Sequence, residues 1–281
     1  IGQVSLNGGT VRDAADNDAN LAFTAPTVSG VNINRTAPTV TVSAGTGTTS
    51  KIGQVIELTA TFAQAVDVTG TGANAATIGI TVGGTPQVAR YVSGTGTTTI
   101  KFQYVVQAGD LDTDGIAIPA AVISLNGTGT LTDSVGTPVL SFTPPALATV
   151  LVDGEVPTVT VVTPPAPGNY NATAGTNTLD ITLTLSEASI VTGSPSIPLT
   201  IGGAVRQATF NPAASTANTA VFRYTITSAT DVFANGSFTI GQVSLNGGTV
   251  RDAAGNDANL AFVAPAVANV NINRTAPVVA V

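Results

Sequence analysis

IELTATF, residues 56–62, and LDITLTLS, residues 179–186, alternate apolar and polar side chains without a break. Ile56, Leu58, Ala60 and Phe62 share one face, with Glu57, Thr59 and Thr61 on the other. Leu179, Ile181, Leu183 and Leu185 alternate likewise with Asp180, Thr182, Thr184 and Ser186. A period of two belongs to a strand with one face buried. Ile100, Phe102, Tyr104 and Val106 repeat the pattern, as do Phe222, Tyr224 and Ile226, and no segment of useful length keeps a helical period. Turn signals such as GTGTT, VGG, LNGG, AAGN and PPAPGN punctuate the chain every 8 to 15 residues. About seven short strands in roughly 120 residues predict an all-β fold of tandem antiparallel β-sandwich modules with Ig-like dimensions.

The modules announce themselves as repeats. IGQVSLNGGTVRDAADNDANLAF at 1–23 returns at 240–262 with one change, Asp16 to Gly255, an offset of 239. A more diverged period of 119 to 120 residues aligns TAPTVTV (36–42) with EVPTVTV (155–161) and TAPVVAV (275–281). IGITVGG (78–84) matches IPLTIGG (197–203), FQYVV (102–106) matches FRYTI (222–226), and SLNG recurs at 124–127 and 244–247. The expected organisation is the C-terminal part of one module at 1–34, module one at 35–153, module two at 154–273 and the first strand of another at 274–281. Two module types alternate in an array of which this chain is expected to be a piece.

IELTATFAQAVDV, the GG turn, RYVSGTGTTTIKFQYVVQAGDLDTDGI, SLNGTGTLTD and SLNGGTVRDAAGNDANL together resemble the bacterial Ig-like repeats of very long secreted surface proteins, including adhesins, S-layer-type and filament-forming proteins. The resemblance covers essentially the whole chain. It implies an extracellular, structural role at a microbial cell surface. Neighbouring modules of the same chain are the expected partners, with copies of the chain joining them in a filament or lattice. The alternative it leaves open is an adhesin module whose loops bind a glycan or host surface.

Composition narrows the chemistry. A net charge of −7 with nine scattered Lys and Arg opposes nucleic-acid binding, which needs a basic footprint. The chain has no Cys and no His, so disulfides, thiolate sites and the commonest general base are missing. No apolar run approaches the ~18 residues of a membrane-spanning helix. Aromatic residues make up 5% with no Trp, a poor platform for sugars. No catalytic residue is assigned, and the chain is not expected to be an enzyme.

DLDTDG, residues 110–115, concentrates three carboxylates in a chain with only 9% charged residues. Acids at alternate positions followed by glycine match the first half of a calcium loop, although Ala121 stands where a bidentate Glu would close it. The competing reading is a solvated turn. Uncompensated carboxylates this close repel one another unless a cation sits among them, which favours Ca²⁺. Counting strands places this loop near the VDGEVP connector, so the expected site comprises Asp110, Asp112 and Asp114 with Asp153 or Glu155, at the joint between modules one and two. Module two has ATDVFANG in the same place and the connector NINRTAP, so its joint is expected to lack the ion. RDAAGNDAN at 251–259 reads as a hydrogen-bonded Asx turn, and Glu187 as a solvated strand end.

Overall fold

A computed structural model describes residues 2–31, 39–43, 49–227, 231–234 and 238–274. The 34/35 boundary and all but Arg274 of the strand expected at 274–281 lie outside these residues. The regular structure of the described residues is nearly all β-strand, arranged mainly in antiparallel sheets, with single 3-10 turns at Gly72–Asn74 and Pro212–Ala214. No described helix is long and apolar enough to cross a membrane.

In module one, strands run side by side in the order Thr39–Ser43, Val55–Val68, Thr97–Val105, Thr85–Ser93, Thr77–Val82 and Ile123–Ser124. A second sheet sets Leu151–Asp153 between Thr49–Lys51 and Leu111–Asp112. Module two repeats the plan: Val159–Thr163, Thr178–Leu185, Thr219–Thr225, Ala204–Phe210, Ser196–Ile201 and Thr239–Ile240, with Val270–Ile272 between Gly168–Tyr170 and Phe233–Ala234. The alternation read from sequence explains the packing. Ile56, Leu58, Ile100 and Phe102 are fully buried in one cluster, and Leu179, Ile181, Leu199 and Phe222 lie buried in a separate one. Strands of two or three residues, too short to show a period, raise the described total to ten in module one and eleven in module two.

One break in this plan positions chemistry. The Val55–Val68 strand shifts register between Thr61 and Val66, and its far end pairs with Leu131–Thr132. In module two the same path is cut in two, and Ile190–Thr192 pairs with Thr249–Arg251. Asp67↔Thr132 and Ile190↔Arg251 are equivalent pairs, so Gln64 of module one and Glu187 of module two occupy the same place beside the break.

Residues 2–31 keep the turns of the full module. Gln3 Nε2 donates to the Phe23 carbonyl as Gln242 does to that of Phe262, and Arg12 pairs with Asp18 as Arg251 does with Asp257. They form no strand, however. Val11 is 49% exposed where its counterpart Val250 is 4% exposed. Val250 is covered because its strand pairs with Ile190–Thr192, a partner that residues 2–31 do not have among the described residues.

Candidate functional site

Two of the three acids of DLDTDG are held by the protein's own donors. Asp110, at 9% exposure, accepts the Tyr104 hydroxyl and, at 2.7 Å, the Gln107 N–H. Asp231 repeats the Tyr–Asp contact in module two with Tyr224 and adds an ion pair to Arg206. Burial, then the bonded carboxylate, pushes the Tyr104 and Tyr224 hydroxyls above their ordinary pKa. Asp112, at 4% exposure, accepts Gly83 N–H through Oδ2 and Gly115 N–H through Oδ1, both at 2.7 Å. Asp114 is exposed. Gly115 is required by the turn itself: its φ is +101°, and a Cβ there would lie 2.4 Å from the Leu147 carbonyl oxygen.

Among the described residues, the only group of three or more potential ligands is Asp153, Glu187 and Asp252, whose carboxylate oxygens lie within 4.8 Å of one another. Asp153 ends the last strand of module one, Glu187 follows the Thr178–Leu185 strand, and Asp252 follows Thr249–Arg251. The group therefore straddles the joint between the modules. It contains Asp153 of the residues expected from sequence, joined by two from module two. Glu155 stands close enough to act on the charge of both Asp153 and Glu187. Asp110, Asp112 and Asp114 do not take part in this group.

Fixed backbone shapes the joint. Asp252 Oδ1 accepts the N–H groups of Gly255 (2.6 Å) and Asn256 (2.8 Å), the Asx turn expected for this loop. Its Oδ2 accepts Asn256 Nδ2 at 2.8 Å. Each carboxylate oxygen has two lone pairs, so these bonds leave capacity for a further ligand. A cleft of about 380 Å³, lined by Gly154, Glu155 and Glu187 among others, opens beside the group.

The electrostatics are unfavourable as they stand. Burial raises the pKa of Asp153, with Asp252 and Glu155 adding to the effect and a hydrogen bond from Glu155 N–H opposing it. Burial likewise raises Glu187, reinforced by Asp153, Asp252 and Glu155. A proton or a cation relieves such a cluster, and an all-oxygen set suits a hard ion such as Ca²⁺. Because both pKa values rise on folding, the folded chain holds these protons more tightly than the unfolded one. The associated stability is full below the ordinary carboxylate range and is lost as pH rises through the raised values. In chelator, thermal melting should therefore show an acid-side gain in stability that shrinks in Glu187→Gln; an unchanged profile in the variant would refute this coupling.

The sequence offered a signal for this group. In the aligned repeats Asn34 stands at the place of Asp153 and Gln64 at that of Glu187, so two of three acids become amides of nearly the same shape. A scan against protein-family models finds no match for the chain, and a search of curated proteins finds none either.

Proposed function

We propose that this chain is part of an extracellular structural array at a microbial cell surface, a stalk, filament or surface-layer element, with Ca²⁺ bracing the joint between modules one and two. The observation that carries the reading is the repetition of one sandwich plan, with three carboxylates close enough to share one ion placed where the copies meet. The resemblance to bacterial Ig-like repeats supports the same role. Partners are the neighbouring modules and further copies of the chain.

Ca²⁺ would be held by Asp153, Glu187 and Asp252, with Glu155 adjacent. Extracellular modules bind calcium at ~10⁻⁴ to 10⁻³ M, and a tenfold excess over such a constant adds only about 1.4 kcal/mol. The effect falls on the joint more than on the folding of either bead. Calorimetric titration with Ca²⁺ should show binding that disappears in Glu187→Gln. Electron micrographs of the full-length protein should show threads or ordered arrays that bend more freely in chelator. Compact particles without repeats would overturn the array, and threads indifferent to chelator would remove the cation.

A further inference from the structure

The joint is also closed by contacts that involve no cation, and the aligned repeats carry other residues at the positions that make them. Gly154 N–H donates to the Asp110 carbonyl at 2.5 Å, and Gly109 N–H donates to the Gly154 carbonyl at 2.8 Å, laying the connector on the turn at 107–110. A Cβ on residue 154 would lie 2.2 Å from the Gln107 carbonyl oxygen, so this approach requires glycine. The aligned connectors carry Arg35 and Arg274 at that position. Arg274 instead extends its guanidinium to the carbonyl of Thr227, the counterpart of Gln107.

From the other side, the 251–257 loop plugs into module one. Asn256 accepts the Ile52 N–H at 3.1 Å and donates to the Asp153 carbonyl at 2.9 Å, while Lys51 Nζ donates to the Gly255 carbonyl at 2.8 Å. The fold of this turn does not depend on a neighbour among the described residues. Asp13 and Asn17, at the equivalent places in residues 2–31, make the same turn with no module against them: Asp13 Oδ1 accepts Asn17 N–H at 3.0 Å. Module one's own loop has Thr137 where module two has Asn256, and in module two the place of Lys51 falls to Asn171, just past the Gly168–Tyr170 strand.

We infer that the 251–257 loop is a docking element specific for the end of a module-one-type neighbour, so that separately folded modules pair off and a fixed joint inside each 239-residue pair alternates with a looser joint between pairs. Plug (Asn256), socket (Lys51, Ile52 and the Asp153 carbonyl) and glycine hinge (Gly154) occur together at this joint. The sequence replaces Gly154 with arginine at the joints on either side. The inference deepens the array reading but is tested without it.

The absence of cysteine allows single labels to be placed at will. Val88→Cys and Val205→Cys, both at exposed strand positions, carry spin labels on modules one and two of the full chain, and pulsed electron resonance reads the distance between them. In chelator the unaltered joint should give one narrow distance. Gly154→Arg and, independently, Asn256→Thr, which install residues of the other joint, should broaden it while circular dichroism shows both modules folded. Should Gly154→Arg unfold module one, Asn256→Thr decides alone. A broad distance in the unaltered joint, or one that narrows only when Ca²⁺ is added, would overturn the inference and leave the array reading standing; an unchanged width in Asn256→Thr would remove the loop as the docking element.

Discussion

Phe222→Ala is expected to lower the stability of module two by about 3–5 kcal/mol while module one keeps its own melting transition. Phe222 is 1% exposed and packs edge-on against Phe210, with ring centroids 6.1 Å apart. It stands opposite Ile181 across the sheet, so truncation opens a cavity bounded by strands that cannot close up without breaking their ladder. The buried residues around it belong to a cluster separate from that of Phe102 and Leu58. Two cores mean two sources of cooperativity, bridged at the joint by polar contacts of the connector and of the 251–257 loop. Hydrogen exchange resolved by residue would follow both at once: protection should fall across the Thr178–Leu185 and Thr219–Thr225 strands and persist at Val55–Val68. Equal loss in both modules would mean that the beads do not stand alone.

Asp112→Ala should cost module one about 3 kcal/mol and leave its response to Ca²⁺ unchanged. The side chain ties the Gly83 turn to the Gly115 turn, positions 29 and 3 residues away, by accepting a backbone N–H from each. Alanine strands both donors in a place only 4% exposed at residue 112. Glu187→Gln should do the reverse, with little loss of folding stability and loss of calcium binding. If Asp112→Ala abolished calcium binding without unfolding module one, the ion would belong in the DLDTDG loop and the joint acids would be bystanders.

The contrast between these two substitutions shows what sequence could and could not reveal. Alternation at 56–62 and 179–186 marked the buried faces because strand geometry puts every second side chain inward. The fold class followed, and so did the pairing of equivalent strands between copies. The acids of DLDTDG were harder. Their partners are backbone N–H groups and a tyrosine hydroxyl, and a backbone donor leaves no trace in a sequence. Three carboxylates in one loop read as an ion site, and the turn-pinning bonds of Asp110 and Asp112 come to light only in the fold.

At the joint the difficulty was distance along the chain. Asp153, Glu187 and Asp252 come from three segments spread over 100 residues and two modules. Glu187 alone reads as a strand end, and Asp252 alone as an Asx turn, which it also is. The exchange of Asn34 for Asp153 and Gln64 for Glu187 becomes meaningful only once the break in the Val55–Val68 strand fixes which residues correspond. Gly154 carried no signal until its neighbour at 107–110 was known.

Single-molecule pulling on a concatenated run of this sequence tests the central claim most directly, that the chain is a string of separately folded two-sheet modules built to bear load along its length. The account predicts regularly spaced force peaks, each releasing roughly 400 Å of chain, the contour of one ~120-residue module at 3.3–3.6 Å per residue. Featureless extension, or a single event that releases both modules together, would contradict it.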